Sequence, residues 1–137
     1  MAFDPSRDYP LGTRRADLVS TPGGVPLGEV TLDALRAGTI GAEEMRATPA
    51  TLQMQGEVAR AAGRTQLAES LERAAELAAV PDDLLLEVYT ALRPRRATAT
   101  ELEEWATRLD GYDAARTAAF VREAAAAYGE RGLLADG

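Results

Sequence analysis

Apolar residues recur through most of this chain at intervals of three and four residues, which is the spacing of one face of an α-helix. No segment shows the apolar and polar alternation of a half-buried strand. Hydrophobic residues make up 46% of the chain but aromatic residues only 5%, so the core must be built from Ala, Leu and Val. The pattern therefore predicts an all-α fold, in which helices pack on helices.

Capping residues, prolines and glycines set the boundaries of the predicted helices. They indicate a compact helical bundle of about five main helices. A short helix from Thr31 to Arg36 and a turn from Ala42 to Arg46 come before it. The first main helix is predicted from Pro49 to Ala62, with Thr48 as its N-cap, and the second begins after the N-cap Thr65 and ends near Ala79. The third runs from Pro81 to Pro94, the fourth lies between Thr98 and Gly111, and the fifth runs from about Asp113 to Arg131.

The helical spacing also assigns a buried face to each main helix. Thr98 and Glu101 have the spacing of a capping box, which supports the start of the fourth. The predicted faces of the last four are Leu67, Leu71, Ala74, Ala75 and Ala78; then Leu84, Leu85, Val88, Tyr89 and Leu92; then Leu102, Trp105, Ala106 and Leu109; and finally Ala114, Ala118, Val121, Ala125 and Tyr128.

Residues 1–30 differ from the rest of the chain because proline and glycine interrupt them repeatedly. Four prolines in this segment exclude a long helix. Its apolar residues are too numerous for a free linker, so the segment is interpreted as an extended arm that lies on another surface, for which a second chain is one candidate. The predicted organisation is thus an arm over residues 1–30 and a helical domain over residues 31–137.

Several classes of chemistry are excluded by composition. The chain contains no His and no Cys, which removes zinc sites of the usual ligands, disulfides, thiol nucleophiles and imidazole bases. All 15 basic residues are Arg, so no lysine can form a Schiff base or serve a P-loop. We expect no metal ligand, no cofactor ligand and no catalytic residue in this chain.

The net charge of −7 bears on the partners of the protein. An acidic chain repels phosphate backbones and anionic lipid heads, so nucleic acid and membranes are not expected partners. No uninterrupted apolar stretch of about 18 residues is present. We expect a cytoplasmic protein.

Three arginines stand close together at Arg93, Arg95 and Arg96, where the third main helix is predicted to end. The negative end of the helix dipole attracts cations and explains part of this cluster. An acidic partner is an equally good explanation. Arg122 lies next to the apolar seam of the last helix and must either extend to solvent or be paired. At least one of Arg46, Arg93 and Arg122 is expected to form a bidentate pair with a carboxylate or to bond backbone carbonyls.

From the residues alone, the chain is an interaction module or a subunit. Several motifs also occur in an order and at a spacing found in one known family. They are Tyr9-Pro10-Leu11, Asp33 with Leu35, Met45-Arg46, Thr48-Pro49, Thr51-Leu52, Ala62-Gly63-Arg64, Glu72 to Leu77, Ala79 to Asp83, Glu87, Tyr89, Ala91 to Pro94, and Ala118 to Ala125.

In these motifs the chain resembles the small subunit of the adenosylcobalamin-dependent diol and glycerol dehydratases. The resemblance implies a non-catalytic subunit that assembles with a large and a medium subunit, two copies of each. Adenosylcobalamin, bound by the partner subunits, would supply the radical that converts a 1,2-diol or glycerol to an aldehyde. The residues selected as a candidate subunit interface are Tyr9, Pro10, Leu11, Arg46, Tyr89, Arg93 and Arg122.

The sequence does not choose between glycerol and propane-1,2-diol. Some family members carry a longer amino-terminal extension linked to packaging in bacterial microcompartments, and only eight residues precede Tyr9 here. Packaging of this enzyme is therefore left open. Two alternatives to the dehydratase subunit are a free-standing helical adaptor or regulator without activity and, with less support, an independent enzyme that uses arginine and carboxylates.

Overall fold

A computed structural model describes residues 2–137 of the chain. Within these residues the only β-type pairing is one isolated bridge, between Ser20 and Pro26. None of the described helices is long and apolar enough to cross a membrane. The all-α prediction is confirmed. The helices are α1 (Leu11–Arg14), α2 (Leu32–Arg36), α3 (Pro49–Ala61), α4 (Thr65–Leu77), α5 (Asp82–Ala91), α6 (Ala99–Asp110) and α7 (Ala115–Arg131), with short 3-10 helices at Ala16–Leu18, Leu27–Glu29 and Ala42–Met45.

The chain divides into two compact units, Met1–Ala78 and Ala79–Gly137, called unit 1 and unit 2 below. This division falls between α4 and α5. The docking arm over residues 1–30 and the helical domain over residues 31–137 stay predictions.

Unit 1 is organised around the pair formed by α3 and α4. Thr48 caps α3 as predicted, because its hydroxyl accepts the amide hydrogen of Thr51. The two helices come close at Gly56, which is buried and lies against the backbone of Ala68. A salt bridge of 2.7 Å between Arg60 and Glu72 adds a polar link across the pair.

The predicted face of α4 is buried at Ala75 and partly buried at Leu71 and Ala74, but the prediction is wrong for Leu67 and Ala78, which are exposed. The buried residues of α4 are Ala68 and Ala75, whereas Leu67 is 46% exposed. At Gly56 the helix α3 approaches the carbonyl oxygen of Ala68 and also Leu71, so the contact turns these residues of α4, and not Leu67, toward α3. Thr65 is the first helical residue and not the N-cap, which is Arg64.

The amino-terminal segment contains short helical elements, so a uniformly extended course is not confirmed. In the described residues 2–30, α1 and two 3-10 helices alternate with turns. Leu11 is buried, and Thr21 is buried with its hydroxyl accepting the amide hydrogen of Val25 at 3.0 Å. Local contacts therefore hold this segment in a defined path.

Unit 2 has its core between α6 and α7. Its largest fully buried side chains are Leu102, Leu109 and Val121, all on the predicted seams. The capping box of Thr98 and Glu101 at the start of α6 is confirmed.

The helix α5 buries Leu84 and Val88 but exposes Tyr89, so the predicted inclusion of Tyr89 in its apolar face is wrong. Successive helical residues point about 100° apart, and the face defined by Leu84 and Val88 turns Tyr89 toward solvent.

The loop after α5 is held by the carboxyl-terminal segment. The amide of Arg95 donates to the carbonyl of Leu133 at 2.7 Å, and the amide of Ala135 donates to the carbonyl of Ala97 at 2.9 Å. The Tyr128 hydroxyl donates to the carbonyl of Leu92 at 2.6 Å. These bonds fix the loop backbone on both sides of its arginines.

Candidate subunit interface

A buried carboxylate organises the residues around Tyr9. Asp8 is only 4% exposed and accepts hydrogen bonds from Nε of Arg7 and Nη1 of Arg15, each at 3.0 Å. Arg15 also forms a bidentate pair with Asp17, with both bonds at 3.0 Å. Asp8 further accepts the backbone amide of Asp4 at 3.0 Å. This network, called the Asp8 cluster below, fixes both sides of the Tyr9-Pro10 turn.

The hydrogen bonds of the Asp8 cluster stabilise the ionised carboxylate. The bond from Arg7 has the largest effect, followed by the Asp4 amide, and together with Arg15 they lower the pKa of Asp8 from 3.8 to about 2. Burial opposes this change but is outweighed. Hydrogen bonding by Arg15 also lowers the pKa of Asp17. The cluster is therefore fully ionised at neutral pH.

We expect Asp8→Asn to destabilise the protein near neutral pH and to do so progressively less as the pH falls from about 4 to about 2. The folded-state pKa of Asp8 is depressed, so its stabilisation is present above the unfolded-state pKa and lost as the pH falls through the folded-state pKa. Urea unfolding of both proteins over this pH range measures the difference.

Asp33→Asn is the matched control, because the Asp33 side chain is 97% exposed and its nearest arginine nitrogen is 3.9 Å away. It should leave stability unchanged at every pH. A difference between Asp8→Asn and the wild type that stays constant down to about pH 2 would contradict the assignment.

The Asp8 cluster presents Tyr9 at the surface of unit 1. Asp8 and Leu11 are buried on either side of the turn, whereas Tyr9 is 63% exposed and Pro10 is also exposed. Leu11 thus anchors this turn and presents no surface of its own. Tyr9 borders a mainly apolar groove of about 350 Å³. The groove, called the Tyr9 groove below, is lined by Tyr9, Gln55, Val58, Ala59, Ala62, Arg64, Leu67 and Leu71.

Arg46 lies in the segment that leads into α3 and is exposed. It lines a second groove of unit 1, of about 260 Å³, together with Met45 and Val19. Met45 is 57% exposed. The structure therefore places Arg46 beside apolar surface.

In unit 2 the exposed surface of α5 carries two large apolar side chains, Leu86 and Tyr89, which are 66% and 59% exposed. Arg93 follows them four residues after Tyr89 and is also exposed. A groove of about 460 Å³ runs between α5 and α6, with Leu86, Arg96 and Trp105 among its lining residues.

Arg122 joins α7 to α6 through two carboxylates. Its Nε donates to Glu103 at 2.9 and 3.1 Å, and its Nη2 lies 2.8 Å from the same carboxylate and 2.9 Å from Asp110. Hydrogen bonding to Arg122 lowers the pKa of Glu103. The bidentate pairing expected for at least one of the three selected arginines is thus found at Arg122, inside unit 2.

The selected residues fall into separate groups. Tyr9 and Pro10 lie on one surface of unit 1, Arg46 lines another groove of that unit, and Tyr89 and Arg93 share one surface of unit 2. The sequence analysis missed the Asp8 cluster, whose only signal was the close spacing of opposite charges at Arg7-Asp8 and Arg15-Ala16-Asp17. Within residues 2–137 no group of three or more carboxylates is placed to hold a metal ion.

These observations define a small helical protein that presents aromatic and arginine side chains beside apolar grooves. The family described as dehydratase small subunit matches residues 5–135. The propanediol dehydratase small subunit of Citrobacter freundii is 50% identical over 128 residues, which are 93% of this chain and 74% of that protein. The subunit of the same name from Salmonella typhimurium is 48% identical over the same shares. The chain belongs to the dehydratase small subunit family.

Proposed function

We propose that this chain is the non-catalytic small subunit of a cobalamin-dependent diol dehydratase, a carbon-oxygen lyase, and that it supports assembly and stability of the enzyme. The observation that carries the proposal is the 50% identity to a propanediol dehydratase small subunit over 93% of the chain. Both relatives are named for propanediol, which favours propane-1,2-diol over glycerol as the substrate.

The cofactor in this proposal is adenosylcobalamin, bound by the partner subunits. When bound, it supplies the radical chemistry by which a 1,2-diol becomes an aldehyde. The sequence of this chain offers neither an imidazole nor a thiolate to coordinate the cobalt, and the proposal places the cofactor on the partner subunits. We derive no chemical step from its residues and assign them to association.

The proposed partners are a large and a medium subunit, with two copies of each of the three chains in a cytoplasmic complex. Aromatic and arginine side chains carry much of the binding energy in protein interfaces. Tyr9, Tyr89 and Arg93 are exposed and of these types. The segment of residues 1–30, which bears Tyr9 and Pro10, is proposed to dock on one of the partners.

Co-expression with the large and medium subunits tests the proposal. We expect all three chains to elute together in size-exclusion chromatography and to convert propane-1,2-diol to an aldehyde when adenosylcobalamin is added. The chain alone should show no turnover and no binding of the cofactor. Omitting the chain should lower the soluble yield and the thermal stability of the other two subunits.

The contrary results are equally clear. If the chain elutes as a monomer in the presence of both partners and their activity is independent of it, the proposal fails and a free-standing helical adaptor is the better description. Binding of adenosylcobalamin by the lone chain at micromolar concentration would contradict the assignment of the cofactor to the partners.

A further inference from the structure

Three exposed arginines, Arg93, Arg95 and Arg96, lie within four residues of an otherwise acidic chain. Residues 92–100 contain no Asp or Glu. Within residues 2–137, the structure shows no ion pair at the side chains of these arginines. Acidic residues outnumber basic ones by 22 to 15, so carboxylates are abundant in the chain. Glu87 and Glu101 line the same groove as Arg96, yet neither forms an ion pair with it, so the lack of an ion pair at this cluster requires an explanation.

Other arginines of the same chain are paired. Arg15 lies 3.0 Å from Asp8, Arg60 lies 2.7 Å from Glu72, and Arg122 lies 2.8 Å from Glu103. Those arginines hold segments of the chain together. Arg93, Arg95 and Arg96 form no such link, and all three are exposed.

The helix dipole does not account for the whole cluster. The favourable effect of a cation is confined to the last turn of a helix, and α5 ends at Ala91. Arg93 is close enough to benefit, because its amide still donates to the carbonyl of Thr90 at 3.2 Å. Arg95 and Arg96 lie beyond that turn. The helix dipole therefore does not explain Arg95 and Arg96, and we infer that another negatively charged group binds them.

The loop that carries these arginines is held in a defined conformation. Arg95 has a φ of 61°, in the left-handed region that is uncommon for residues other than glycine. Its amide bond to Leu133 and the bond between Ala135 and Ala97 hold the loop on both sides. A backbone that is already ordered loses little conformational entropy when its side chains bind a partner.

Apolar surface adjoins the charges. Leu86, Tyr89 and Arg93 are spaced by three and four residues and follow one face of α5 and its last turn. Leu86 and Tyr89 are both more than half exposed. An apolar patch next to unpaired guanidinium groups is typical of the centre and rim of a protein interface.

We propose that Leu86, Tyr89, Arg93, Arg95 and Arg96, called the arginine face below, dock an acidic segment of a partner dehydratase subunit. The segment carries at least two carboxylates for the guanidinium groups and an apolar side chain that packs on Leu86 and Tyr89. The charge of the partner follows from complementarity, since unpaired guanidinium groups bind carboxylates bidentately. Nucleic acid is the disfavoured ligand because the net charge of the chain is −7. The inference rests on the proposed function.

The test compares Arg93→Gln, Arg96→Gln and the double variant with the wild type for binding to the purified complex of the large and medium subunits, at low and at high salt. We expect each single variant to weaken binding several-fold, and the double variant about tenfold or more, with a smaller dependence on salt. Arg36→Gln is the matched control because the Arg36 side chain is 76% exposed and lies in unit 1. It should bind like the wild type.

Circular dichroism of the isolated variants separates docking from folding, because the side chains of Arg93 and Arg96 are both exposed and their loss should leave the unfolding midpoint unchanged. If the wild type binds the partner complex and the double variant binds equally well at both salt concentrations, the proposed docking at the arginine face is overturned and the proposed function stands. If the wild type itself fails to bind, both are overturned. Binding of a single-stranded oligonucleotide that requires Arg93 and Arg96 would also overturn the assignment to an acidic protein segment.

Discussion

Leu109→Ala is expected to lower the free energy of unfolding of unit 2 by about 2–5 kcal/mol. Leu109 is 0% exposed on α6 and belongs, with Leu102 and Val121, to the fully buried side chains of the core. Truncation removes apolar contacts and leaves a cavity that a tightly packed pair of helices can fill only in part. The effect is large because the total free energy of unfolding of a domain of this size is only about 5–15 kcal/mol.

The fluorescence of Trp105 is the appropriate measurement, since this is the single tryptophan of the chain and lies on α6 in unit 2. Urea titration should show a lower midpoint for Leu109→Ala. The control is Leu86→Ala. Because Leu86 is 66% exposed, this substitution should change the free energy of unfolding by less than about 0.5 kcal/mol. Equal midpoints for Leu109→Ala and the wild type would contradict the packing described for α6 and α7.

The same two variants separate stability from association. Leu86→Ala should weaken binding to the partner complex, because Leu86 belongs to the arginine face, while leaving folding intact. Leu109→Ala should reduce the amount of assembled enzyme through loss of the folded chain. The turnover of complexes that do assemble should remain that of the wild type in both variants, because neither residue is assigned to the chemistry.

Much of the fold could be predicted because local signals and long-range packing agree. Thr48 and Thr98 are N-caps whose side chains bond the amide three residues later, and the sequence alone contains both signals. The seam of α7 was predicted correctly from Ala114 to Val121, because a long helix samples its buried face several times.

The errors at Leu67 and Tyr89 have one physical origin. Helical spacing identifies a stripe of apolar residues, but two neighbouring stripes can both be apolar, and the partner helix decides which is buried. In α4 the close approach at Gly56 involves Ala68 and Leu71 and leaves Leu67 46% exposed. In α5 the buried stripe is set by Leu84 and Val88, which leaves Tyr89 outside. Neither outcome is encoded within the helix concerned.

The Asp8 cluster could not be predicted for a different reason. The contact between Asp8 and Arg15 depends on how the turn at Pro10 and the helix α1 direct the chain, and no periodic pattern describes such a path. Arg122 is an intermediate case. Its position beside the apolar seam indicated a paired arginine, but only the packing of α6 on α7 shows that Glu103 and Asp110 are the partners.

Gly56→Leu is expected to destabilise unit 1 by about 1–3 kcal/mol, whereas Gly56→Ala should be neutral or stabilise it by up to about 1 kcal/mol. A Cβ atom at Gly56 would lie 3.4 Å from Cγ of Glu72, 3.5 Å from the carbonyl oxygen of Ala68 and 3.7 Å from Cβ of Leu71. These are ordinary contact distances, so alanine fits and also favours the helix. The further carbons of leucine have no space against the backbone of α4 and would push the helices apart.

Amide hydrogen exchange in α3 and α4, together with unfolding followed by circular dichroism, measures both variants. Faster exchange in Gly56→Leu should be confined to unit 1, because α6 and α7 pack within unit 2.

The Tyr9 groove lies between α3 and α4 and includes Ala59 and Leu71 in its lining. Separating the helices changes the shape of that groove, so Gly56→Leu should also weaken binding to the partner complex if the groove belongs to the interface. Gly56→Ala keeps the spacing of the helices and should bind like the wild type. Stability of Gly56→Leu equal to that of Gly56→Ala would show that α3 and α4 do not approach each other as closely as described.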